Sequence, residues 1–135
     1  MIFLDTNVLL YAVTSAPAEE AKRRLAIAVI AGGDYATSGQ VHAEFFYNAT
    51  MKIKPPIMAA EALEWLARLR RFPVVPVTGE LVARGVANAE RYQISYWDGA
   101  ILAAAQEIGA DTLYSEDLNV GQRYGSVRVV NPFAA

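Results

Sequence analysis

The chain has 135 residues, 54% of them hydrophobic and 19% charged, enough for a single domain spanning 1–135 with a sizeable core. It contains no cysteine, which excludes disulfides, thiolate metal sites and cysteine nucleophiles. Its net charge of −2 and pI near 5.4 are not those of a general nucleic-acid binder, so a polyanionic substrate would need a divalent cation, or local Arg and Lys, to offset the acids.

"IFLD" at 2–5 reads as a buried strand, apolar up to its last residue, followed by the polar trio Asp5-Thr6-Asn7. The stretch 17–33 reads as a helix, with Pro17 in its first turn, Glu19 and Glu20 at its positive end and Gly32-Gly33 as its stop. "DYATS" at 34–38 is a second short strand. The segment 38–54 is helical, with Val41, Phe45 and Ala49 on one stripe, and Pro55-Pro56 closes it. The segment 55–72 is an amphipathic helix with Ile57, Leu63, Leu66 and Leu69 expected inward and its arginines outward.

"PVVPV" at 73–77 is a third strand whose prolines limit its pairing. Thr78 caps a helix over 78–93, and an apolar helix over 95–109 ends at Gly109. "DTLYS" at 111–115 is a fourth strand, 116–125 a loop, and "VRVVNP" at 127–132 a last strand. No apolar run is long enough to span a bilayer, and the start has no basic n-region, so a soluble, cytoplasmic protein is expected. Short apolar strands alternating with helices imply an α/β protein with a parallel sheet covered on both faces, whose ligands bind beyond the carboxyl ends of the strands.

Four acids stand out. Asp5 ends the first strand, where it could also cap the next turn. Glu44 lies among bulky apolar residues, either in need of a partner or reaching to water from the edge of the stripe. Asp98 completes Ser-x-x-Asp with Ser95, a capping-box-like start to its helix. Asp117 follows Glu116 in a loop, where acids are usually just solvated. Gathered at one sheet edge, the four would repel one another and raise their pKa values unless a cation sat among them. An all-oxygen set suits Mg²⁺ or Mn²⁺ and phosphate-ester chemistry. His42 is the only histidine, so no histidine pair can bind a metal. Trp65, Tyr92 and Trp97 are most simply core. Nucleophile-elbow, phosphate-loop and dinucleotide fingerprints are absent. A receiver domain lacks its acceptor Asp and late Lys here, and a haloacid-dehalogenase-type phosphatase would want Asp at position 7.

"FLDTNVLLY", "SGQVHAEFFYNATMK", "YWDGAILAAAQEIGAD" and "LYSEDLNVGQ" occur in this order along nearly the whole chain. In that order and spacing they resemble the PIN-domain family, and in particular VapC-type toxin ribonucleases. The resemblance implies a single PIN-like domain, three-layer α/β/α with a central mostly parallel sheet, and a Mg²⁺- or Mn²⁺-dependent endoribonuclease. It implies Asp5, Glu44, Asp98 and Asp117 as the catalytic acids, with Asp5 and Asp98 on the metal, and Thr6, Asn7 and Ser115 lining the site. It further implies a homodimer and a cognate antitoxin that inserts a basic residue among the acids. A non-catalytic module whose acidic pocket only receives a partner's Arg, and a housekeeping RNA-processing nuclease, are the alternatives.

Overall fold

The structure is a computed structural model and describes residues 1–134. Ile2–Leu4 forms β1, with Phe3 and Leu4 fully buried, as a continuous apolar run requires when it lies at the middle of a sheet. The other strands are β2 (Tyr35–Ser38), β3 (Val74–Val75), β4 (Thr112–Tyr114), β5 (Arg123–Tyr124) and β6 (Val127–Val130). Their order across the sheet is β3-β2-β1-β4-β6-β5. All neighbouring pairs are parallel except β5 with β6.

The helices are α1 (Thr6–Val13), α2 (Glu20–Gly32, entered through a 3₁₀ turn at Pro17–Glu19), α3 (Gly39–Met51), α4 (Ala59–Leu69), α5 (Gly79–Tyr92) and α6 (Tyr96–Glu107). Helix α1 packs on α2 and α3, α3 packs on α4, and α5 packs on α6, which lies against β2, β4 and β6. The result is a three-layer α/β/α domain with a mostly parallel central sheet. Among the described residues no helix is long and apolar enough to cross a membrane.

Local chemistry sets the boundaries. Ser38, Thr78 and Ser95 each accept a backbone N–H in the first turn of the helix they precede. Gly33 ends α2 at φ +69°, with the Phe72 ring 2.9 Å from where a Cβ would stand. β3 is only two residues long and sits at the sheet edge, where the flanking Pro73 and Pro76 do least harm.

One helix lies in a segment given no element from the sequence, and two expectations differ from the structure. Residues 6–13 form a full helix, because Asp5 caps it and Val8, Leu9 and Ala12 bury its inner face. The 116–125 loop contains β5, which exists only by pairing back antiparallel on β6 and burying Tyr124. Leu63 is 60% exposed, so the buried stripe of α4 runs through Ala62 and Leu69.

The strand order locates the site. The chain runs from β1 outward through β2 and β3, then returns to the other side of β1 with β4. The direction of winding reverses between β1 and β4, and a crevice opens beyond their carboxyl ends at such a reversal. Asp5 is the residue after β1 and Ser115 the residue after β4.

Candidate active site

Asp5 sits in that crevice, 5% exposed, its N–H donating to the Tyr114 carbonyl at 3.1 Å across β1 and β4. Its two carboxylate oxygens are held separately. Oδ1 accepts the Thr6 N–H at 2.7 Å, which caps α1, and Oδ2 accepts the Ser115 hydroxyl at 2.7 Å. Capping and site-forming are therefore one arrangement. Ser115 is fully buried, and its oxygen also accepts the Asp117 N–H at 3.1 Å, so one hydroxyl ties the β1 end to the loop after β4.

Glu44 comes from α3, half-buried, with Oε1 accepting the Thr6 hydroxyl at 2.7 Å. Asp117 is exposed and accepts from Asn7 Nδ2 at 3.0 Å. Asp98 stands in the first turn of α6, its N–H donating to Ser95. The capping expected of Ser95 is present. Among the described residues, no side chain of another element hydrogen-bonds the Asp98 carboxylate.

Asp5, Glu44, Asp98 and Asp117 line one cavity of about 220 Å³, together with Thr6, Asn7, Gln40, Asn48 and Trp97. Four acids face it, and among the described residues no Lys, Arg or His does. The electrostatics follow. Burial, reinforced by the charges of Asp117 and Asp98, pushes the Asp5 carboxyl up to about 6 against the pull of Ser115 and Thr6. Asp98 is also raised, by burial and then by Asp117 and Glu44.

The donor chemistry fits a hard divalent cation. The lining acids offer only oxygens, and among the described residues no lining counter-charge offsets their mutual repulsion. The buried Asn7 Oδ1 lacks a hydrogen-bond partner among the described residues. As placed, no three acidic or histidine side chains among the described residues form a group that could hold one ion. Mg²⁺ commonly takes one or two carboxylates and keeps several waters, so the set remains compatible with it.

Not every strand-end residue lines the cavity: Ser115, expected there, is fully buried behind it and acts through Asp5 and the Asp117 backbone. Thr37 bonds His42 at 2.8 Å and Ser38 caps α3, so both serve the fold. Glu116 faces away, accepting Lys22 at 2.7 Å and the Tyr11 hydroxyl at 2.6 Å. Trp97, expected in the core, is instead 61% exposed at the cavity rim, because the buried face of α6 begins only at Gly99. Neither Gln40 nor Asn48 is among the site residues expected from the sequence, although Asn48 neighbours Glu44 there at helical spacing. They lie one helical turn on either side of Glu44, and that i ± 4 spacing was the signal that could have found them.

Ser115→Ala will test how the acids are held. The hydroxyl lowers the Asp5 pKa, so its loss will move the Asp5 titration, followed by carboxyl NMR, further upward. The change will also cost about 1–2 kcal/mol of stability in urea unfolding.

A sequence model of the PIN domain matches residues 2–124. No curated protein matches the chain in sequence. Among solved structures, the chain is similar to VapC20 of Mycobacterium tuberculosis, a sarcin–ricin loop cleaving toxin, at 21% identity over 87% of this chain and 90% of that one, with a TM-score of 0.67. It is similar at 20% identity to a chain of a toxin–antitoxin complex from Klebsiella pneumoniae, over 98% of both chains, with a TM-score of 0.70. It is also similar to FitAcB from Neisseria gonorrhoeae, at 21% identity over 100% of both chains and a TM-score of 0.62. At these identities the likeness is one of fold.

Proposed function

The chain belongs to the PIN domain family, and from that premise we propose that it is a Mg²⁺- or Mn²⁺-dependent endoribonuclease, the cytoplasmic toxin of a toxin–antitoxin pair. The observation that carries this reading is the convergence of Asp5, Glu44, Asp98 and Asp117 on one cavity that, among the described residues, no cationic side chain lines. The similarity to a sarcin–ricin loop cleaving toxin and to a toxin–antitoxin complex supports the biological role. An antitoxin that supplies a basic group would find complementary charge in the cavity, and a homodimer is the proposed assembly.

Asp5 and Asp98, assisted by Glu44 and Asp117, would hold the ion. When bound, it would offset charge on the scissile phosphate and favour ionisation of a water. The chain's own part is positioning. Asp5 is fixed by two hydrogen bonds at the end of a buried strand, which gives it a rigid oxygen. Thr6 aims Glu44, Asn7 aims Asp117, and Ser115 joins Asp5 to the Asp117 backbone. Among the described residues Asp98 has no such tie to another element, which leaves its carboxylate oxygens available to the ion.

The test is cleavage of RNA with Mg²⁺ or Mn²⁺, with and without chelator, for wild type and Asp98→Ala. Both treatments should suppress cleavage by about 100-fold or more. Cleavage that survived both would overturn the mechanism. A folded wild type that neither bound Mn²⁺ nor cut RNA would leave a non-catalytic binding module.

A further inference from the structure

A nucleic acid approaching this cavity meets four carboxylates, and among the described residues no basic side chain lines it. A cation can neutralise the acids at the scissile phosphate, but it gives no grip on the rest of the strand. Affinity that does not depend on charge comes from stacking of bases on aromatic rings.

Among the described residues one aromatic ring, that of Trp97, lines the cavity. Trp97 is 61% exposed, a large loss of burial for the residue immediately before Asp98. The other tryptophan, Trp65, is covered by the Arg68 guanidinium 4.7 Å from its ring. Trp97 has no cation over it among the described residues and meets only Tyr96, in a T-shaped contact at 5.0 Å. Its backbone is anchored, because Gln40 Nε2 on α3 donates to the Trp97 carbonyl at 3.2 Å. An exposed indole thus stands on the rim above an anchored backbone. Gln40 and Asn48 line the same cavity and offer amide groups that can meet base edges.

From these contacts we infer that Trp97 is a stacking platform for an unpaired base next to the phosphodiester that the acids address. The inference deepens the nuclease reading and rests on it. It makes the preferred substrate single-stranded, since a base within a duplex offers no free face.

The experiment uses Trp65→Phe, which leaves Trp97 as the sole tryptophan. Its fluorescence is followed by stopped flow with Mg²⁺ immediately after mixing with a short single-stranded RNA, the same sequence as a duplex, or an abasic strand of equal length. Saturable quenching by the single strand alone is expected. In steady-state cleavage, Trp97→Ala should raise KM about 10-fold with kcat nearly unchanged, and Trp97→Phe should restore most of the loss. Equal quenching by the abasic strand or the duplex would overturn the inference. An unchanged KM in Trp97→Ala would do the same, and so would a change in sedimenting mass without a change in KM, which would make Trp97 a protein contact. Cleavage without quenching removes the platform and leaves the nuclease. Quenching by the single strand without cleavage removes the nuclease and supports the platform.

Discussion

Asp5→Asn will make the metal-free protein more stable while lowering RNA cleavage by at least about 100-fold. The two effects have one cause. Burial and the neighbouring acids raise the Asp5 pKa from 3.8 to about 6, so at neutral pH the folded state carries an ionised carboxylate that its surroundings disfavour. A shift of that size corresponds to about 3 kcal/mol of strain on the charged form. Asn keeps only one acceptor oxygen for Thr6 and Ser115, which offsets part of the gain, leaving a net stabilisation on the order of 1–2 kcal/mol.

The sign follows from proton binding. Between about pH 4 and 6 the folded wild type holds a proton that the unfolded chain has released, so stability falls as pH rises through that window and levels off above it. Asp5→Asn should lack this slope. Urea unfolding from pH 4 to 8 in chelator will show it, with the variant's advantage growing to pH 6 and then constant. Added Mg²⁺ should stabilise wild type by binding only the folded state and should do less for the variant. A variant less stable than wild type at pH 7 in chelator would mean that the cavity tolerates the Asp5 charge.

Such a conflict between local stability and the site also explains what could be read from the sequence. The strand order could not be, and the rule that ligands gather beyond parallel strand ends points to Asp5, Thr37, Ser38, Ser115, Glu116 and Asp117 alike, of which Asp5 and Asp117 line the cavity and Ser115 bonds both. Short apolar strands are legible because a central parallel strand must be buried on both faces. Helix α1 was obscured by its cap, since Asp5-Thr6-Asn7 reads equally as a turn, and only its packing on α2 and α3 distinguishes the two. Strand β5 has no pattern of its own and is defined by pairing with β6. Trp97 was misplaced because hydrophobicity alone argues for the core, whereas its position in the first turn of α6 puts it outside the buried run that starts at Gly99. Leu63 fails similarly, as apolar periodicity in α4 gives the direction of burial but not its depth.

The backbone beneath Asp98 yields the largest stability effect. Gly99 and Gly85 let α6 and α5 approach closely. A Cβ on Gly99 would collide with the Gly85 carbonyl oxygen and stand 2.9 Å from the Ala89 nitrogen. Both obstacles are backbone, so no rotamer change can relieve them, and the helices must separate. Asn88 on α5 also donates to the Gly99 carbonyl at 3.1 Å and to Gln106 at 3.1 Å, so separation breaks polar contacts as well. Gly99→Ala gains about 1 kcal/mol of helix propensity but loses more to overpacking against backbone, for a net cost of about 2–3 kcal/mol. A fall in Tm of about 10 °C is the expected result in a thermal melt. Gly32→Ala is the control, since no atom of the described residues lies within 4 Å of where its Cβ would stand, and that change should be neutral or slightly stabilising. Because Asp98 directly precedes Gly99, the displaced helix should also carry the acid away from Asp117 and Glu44. Gly99→Ala should therefore lose cleavage even at temperatures where it remains folded, which a loss of stability alone would not produce.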